Sequence, residues 1–146
     1  MATTTATITL SSADLLSDNL SLSATMNLYQ HNTTATGLDQ MNYHRLVIPT
    51  GTQFDLIAES TALSEDASYV YIINKNTDVT DYVKISINAE EIGRLYAGDW
   101  LFMPWDCDLT AAANDSSIEI EAFTHEHIIE YALFHNGETL VTSADS

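Results

Sequence analysis

Apolar residues in this chain recur at every second position, and that period excludes most folds. In "DYVKISIN" Val83, Ile85 and Ile87 point one way while Tyr82, Lys84, Ser86 and Asn88 point the other. Successive side chains leave opposite faces of an extended strand, so this is a strand with one wet face. "SIEIEAF" alternates as cleanly, Ile118 and Ile120 against Glu119 and Glu121. In "SYVYIIN" both sets are apolar, which predicts a strand in a sheet interior. "KNTDVTD" separates it from the next run, so residues 68–88 read as a hairpin with a long loop. "HIIEYALF" supplies another strand before the turn signal "HNG", and earlier strands are expected at 6–10, 20–29, 42–48 and 53–59. "SSADLLSDN" offers a Ser cap ahead of Leu15 and Leu16 but is too short to hold a helix.

Eight to ten strands with little helix predict an all-β chain, an antiparallel β-sandwich of jelly-roll type. At 146 residues, 45% of them hydrophobic, one domain buries its own core. The expected core includes Val70, Ile72, Val83, Ile85, Leu101, Ile118, Ile120 and Ile129. Residues 1–10 read as a flexible or strand-exchanging arm with no hydrophobic face of its own. Residues 11–140 read as the sandwich and 141–146 as a loose tail.

The formal net charge is −17, and the four basic residues Arg45, Lys75, Lys84 and Arg94 are scattered. Binding phosphates needs clustered Lys and Arg, so no nucleic-acid partner is expected. Anionic membranes are disfavoured for the same reason, and no apolar run approaches the ~20 residues of a spanning helix. Cys107 is the one cysteine, so an internal disulfide is excluded. "MATTTATITL" lacks the basic and apolar regions of a signal peptide, which points to a soluble protein made in the cytosol.

The bulkiest stretch is "GRLYAGDWLFMPWD". Gly98 supplies a turn, and a strand of about five residues ends at Pro104, which cannot donate to a ladder. Trp100 and Phe102 share one face, Leu101 and Met103 the other. One reading is a central strand buried on both sides. The other makes this stretch a subunit interface, with Leu95, Tyr96, Trp100, Phe102 and Trp105 as contacts and Trp105 exposed as its anchor.

Metal-capable side chains concentrate in "EIEAFTHEHIIEYALFHNG". His125 and His127 alternate onto one strand face, with Glu130 three residues on. This set resembles the metal ligands of the cupins, as does Gly98 with five intervening residues before Pro104. The departures are large. The Gly–Pro segment precedes the histidines, Glu119 stands where a glycine is needed, and His127 and Glu130 fall on opposite strand faces. No metal or other cofactor is therefore expected, and the histidines are expected to screen Glu119, Glu121 and Glu126. There is no phosphate loop, no G-x-S-x-G and no HExxH. Asp106 and Asp108 flank Cys107 and raise its pKa, which opposes a reactive thiolate. Asp106, Asp108 and Asp115 lack the spacing of a calcium loop. No catalytic role is assigned.

Two longer stretches carry a resemblance. "TITLSSADLLSDNLSLSATMNLYQHNTTATGLDQ" and "YVYIINKNTDVTDYVKISINAEEIGRLYAGDWLFMPW", closed by "IIEYALFHNG", are similar to small virion structural proteins of tailed bacteriophages, those of marine and cyanobacterial hosts in particular. The resemblance implies a capsid decoration (cement) protein. It would bind the major capsid protein on the exterior of the virion, after synthesis in the host cytoplasm. A homotrimer is expected, since icosahedral shells offer threefold positions. The alternatives are a tail- or fibre-associated module that binds a receptor or glycan, and a cupin-like metalloenzyme resting on His125, His127 and Glu130.

Overall fold

The computed structural model of the protein describes residues 4–15, 19–29, 38, 40–58, 67–106 and 116–135. These form ten strands and no helix: β1 (Thr5–Ser12), β2 (Leu20–Asn27), β3 (Gln40–Ile48), β4 (Phe54–Ile57), β5 (Ala67–Asn74), β6 (Tyr82–Ile87), β7 (Glu90–Tyr96), β8 (Trp100–Asp106), β9 (Ile118–Ala122) and β10 (His127–His135). The all-β expectation therefore holds. At the start of "SSADLLSDN" the Ser12 hydroxyl accepts from the Leu15 N–H at 3.1 Å and forms a bend.

Eight strands build two four-stranded antiparallel sheets, ordered β3-β10-β5-β8 (the first) and β4-β9-β6-β7 (the second). The pairs β3·β10, β4·β9, β5·β8 and β6·β7 are nested, first strand with last. β5 and β6 lie in different sheets, so residues 68–88 are a crossover and not the hairpin expected. Alternation gives each strand its faces, but it says nothing about which strand is the neighbour. β1 and β2 pair separately, from Thr5↔Asn27 to Ser12↔Leu20. The sandwich thus begins at Gln40, well after residue 11, and residues 5–12 are a paired strand. Residues 141–146 lie outside the described residues.

Inward side chains of both sheets meet in one core. Val70, Ile72, Val83, Ile85, Ile118, Ile120 and Ile129 are fully buried there, and Leu101 packs against them partly buried. Leu95 and Trp105 also belong to this core, at 6% and 5% exposed, so neither is the partner contact expected. The Trp105 indole donates to the Ser116 carbonyl at 2.8 Å, which removes the cost of burying its N–H. Pro104 does not end its strand. β8 continues to Asp106, and as an edge strand it tolerates a missing donor.

Two tight turns set the second half of the chain. Asn88 (φ 53°) and Ala89 (φ 61°) form the two-residue link of β6 to β7, in the left-handed conformation that matches hairpin twist. β7 itself was not anticipated, because "EEIGRLY" lacks clean alternation. A bulge near Ile85 and Ser86 shifts its register. Gly98 (φ 84°) turns β7 into β8 and crosses to the other sheet.

Ile72 and Ile85 face the core from different sheets and are both fully buried. Replacing either by Ala should cost ~2–5 kcal/mol, through lost burial and the cavity left behind. Urea denaturation of the two variants against the parent protein measures this.

Candidate functional site

The histidine segment assembles differently from its sequence reading. β10 starts at His127, and His125 sits in the bend before it, mostly exposed. His127 is fully buried at the mouth of the core. Glu130 points out of the opposite face, where it lies 3.7 Å from Arg45 and accepts from the Tyr43 hydroxyl. The three candidate ligands are not brought together. Among the described residues no group of three or more His, Cys, Asp or Glu is arranged to hold a metal ion. Cys107, Asp108 and Asp115 lie outside the described residues.

Both histidines instead converge on Asp81, just before β6 and 4% exposed, and not on Glu119, Glu121 or Glu126. His125 approaches Asp81 Oδ2 through both its ring Nδ1 (3.0 Å) and its backbone N–H (2.9 Å). His127 Nε2 lies 3.2 Å from the same oxygen, too oblique for a full hydrogen bond. On the other side of the ring, the Asn74 amide donates to His127 Nδ1 (3.0 Å) and to the Leu95 carbonyl (2.9 Å). Asn74 Oδ1 accepts from the Asn76 N–H at 2.9 Å. This chain runs from β7 through β5 and β10 to the start of β6, so it joins the two sheets. Burial alone would raise the Asp81 pKa. The Tyr82 N–H, the two histidine rings and the His125 N–H outweigh it and hold the group at about 2. The cluster links the two sheets, and its geometry is that of a structural tie.

The remaining sequence candidates lie on the surface. Trp100 and Phe102 stand on the outer face of the first sheet, and Tyr96 on the outer face of the second. Trp100 is 52% exposed, on an edge strand and not in a sheet interior. Around it Tyr69 stacks on Phe102 (5.5 Å between ring centres), Tyr71 lies 6.4 Å from Trp100 and Phe102 meets Phe134 edge-on at 6.5 Å. Among the described side chains of this face, Glu130 is the one carboxylate, beside Arg45.

The hairpin β1–β2 stands over this aromatic wall. Its register places Ala6, Ile8 and Leu10 opposite Met26, Ala24 and Leu22 on one face. The other face is entirely Thr, Ser and Asn, where Thr7 bonds Thr25 at 3.0 Å and Thr5 bonds Asn27 at 3.1 Å. The N-terminal segment therefore does have an apolar face, contrary to its sequence reading: Ala6, Ile8 and Leu10 alternate with Thr5, Thr7 and Thr9 within β1 itself. At its base, Leu28 and Leu38 are buried, and the Thr4 hydroxyl donates to the Leu38 carbonyl. Between hairpin and wall remains a cleft of about 460 Å³, bounded by Ala6, Ile8, Met26, Tyr71, Trp100 and Phe134 among others.

The outer face of the second sheet is its opposite in character. Glu121 pairs with Lys84 at 3.0 Å and Glu91 with Arg94. Lys84 and Arg94 lie over the rings of Phe123 and Tyr82. Among the described side chains, the outer face of the first sheet and the paired strands of the hairpin are largely apolar and carry little acid, and the outer face of the second sheet is charged.

No protein-family profile matches the chain, and no curated protein matches it.

The Asp81 tie has a definite acid dependence. Its folded pKa of about 2 lies below the ordinary 3.8, so its stabilising contribution is complete above the ordinary value and is lost as pH falls through 2. Asp81→Asn should be less stable than the parent at neutral pH, and the difference should shrink steadily below pH 3.8. Chemical denaturation at a series of acid pH values checks both the sign and the window.

Proposed function

We propose that the protein is a non-enzymatic structural component of a tailed-phage virion, which coats the outer surface of the assembled capsid and stabilises it. The observation that carries this reading is the division of the surface. Among the described residues of a chain of net charge −17, the paired strands of the hairpin carry no acid and the aromatic wall's face carries one, Glu130. Its charge sits elsewhere, the far sheet included. Such a molecule adheres on one side and presents charge to solution on the other. The nested strand order supports a jelly-roll reading, and jelly rolls recur in viral capsid proteins. The two stretches similar to phage virion proteins contain β1, β2, β5, β6, β7 and β8, the elements that form the apolar side and much of the core.

The physics of the exterior favours the same placement. Inside a head, −17 per copy would be repelled by packaged phosphate. Outside, salt screens that charge within about 8–10 Å, at little cost. Contact with the major capsid protein falls to whatever part of the apolar side neighbouring copies leave open. Binding the assembled shell, and not its free subunits, stabilises the shell by mass action.

Particles stripped of the protein, or assembled without it, should release DNA at a lower temperature than complete particles. Heads that hold their DNA equally well overturn the clamping role. Stable heads that no longer adsorb to cells assign the protein to receptor or glycan binding instead.

A further inference from the structure

Among the described residues, nothing lies beneath the outer half of the β1–β2 hairpin. The cleft wall formed by the hairpin ends at Ile8 on β1 and begins at Ala24 on β2. Leu10 and Leu22 lie beyond it, opposite each other and each 52% exposed. Among the described residues no hydrogen bond or ring contact ties β1 or β2 to the first sheet. A two-stranded hairpin alone in water is marginal, so this one needs a surface to cover its apolar face. The aromatic wall has the converse deficit: Trp100 remains half exposed, with the cleft open above it.

We infer that these two surfaces serve one another between copies: the apolar face of one copy's hairpin seats on the wall of Tyr71, Trp100, Phe102 and Phe134 of a second copy. Charge selects this occupant. Two chains of −17 can touch only where neither carries acid, because opposed like charges cost several kcal/mol. The strands Thr5–Ser12 and Leu20–Asn27 contain no charged residue, the hairpin's described carboxylate, Asp14, lies in the turn beyond them, and the single carboxylate among the described side chains of the wall's face sits beside Arg45. A basic partner would have no need of an acid-free surface and would settle on the charged side. A foreign apolar partner would cover either the hairpin or the wall. A second copy supplies both. The contact joins unlike surfaces, so it repeats from copy to copy until it closes. The isolated protein is expected to make it, independently of any capsid.

The experiment is sedimentation of the purified full chain over a wide concentration range. The parent protein should associate. A hairpin variant, Leu10→Asp with Leu22→Asp, should sediment as single copies, and so should a wall variant, Trp100→Asp. Mixing the two variants should restore a one-to-one complex, because each retains the surface the other lacks. A parent protein that stays single at the highest concentration overturns the inference. So does either variant keeping the parent's mass, or a mixture that remains single. The exposed positions leave the core untouched. If circular dichroism nonetheless shows lost strand in a variant, the corresponding Ser substitutions provide the same reading.

Discussion

Asn74 is the side chain on which the joining of the two sheets depends. It ends β5, fully buried, and nearly all of its polar groups are used. Its N–H donates to the Asp99 carbonyl and its C=O accepts from the Gly98 N–H, which fixes the β7–β8 turn. Its amide reaches Leu95 on β7 and His127 on β10. A buried amide left without partners would cost about 1–3 kcal/mol, so the site specifies one arrangement of the surrounding strands. Asp81 extends the tie to the start of β6 through His127. The apolar core can then fill between sheets already held at one end.

That closure explains why the histidine segment is structural in character. His127 accepts from Asn74 at Nδ1, which places the ring proton on Nε2, toward Asp81. The Nδ1 side of this imidazole is occupied, and its Nε2 side faces the Asp81 carboxylate obliquely. The exposed His125 completes the coordination of the Asp81 carboxylate by protein donors. The depressed acidity of Asp81 follows from a buried carboxylate well supplied with hydrogen-bond partners, and it needs no catalytic explanation.

Acidity governs the outside as the Asn74 tie governs the inside. Repulsion between chains of this charge makes acid-free surface the scarce resource for assembly. The protein places that surface on a hairpin and on one sheet face. Uncharged Thr, Ser and Asn on the hairpin's other side add no repulsion. Where the second sheet carries aromatic rings, two of the four basic side chains lie over them, so that face offers no comparable bare apolar area.

The strand content and most of the core were legible in the sequence. Period two is a local property, and Val83, Ile85, Ile118 and Ile120 declare their face within a few residues of chain. The opposite orientations of His127 and Glu130 were legible for the same reason, as was the turn at Gly98. Partnership between distant segments was not. Alternation cannot say that β5 pairs with β8 and β10 in place of β6, that β8 is an edge, or that Trp105 turns inward while Trp100 turns out. These depend on which faces of the two sheets close on one another. The Asp81–His127–Asn74 tie joins residues 46 to 53 positions apart or within a crossover loop, and no local pattern marks it. The hairpin's apolar face was legible, since Ala6, Ile8 and Leu10 and then Leu20, Leu22, Ala24 and Met26 alternate within their own strands, but the pairing of the two strands over the first sheet was not. A strand's own sequence determines what it can bury, and only the packing of the whole chain decides against what.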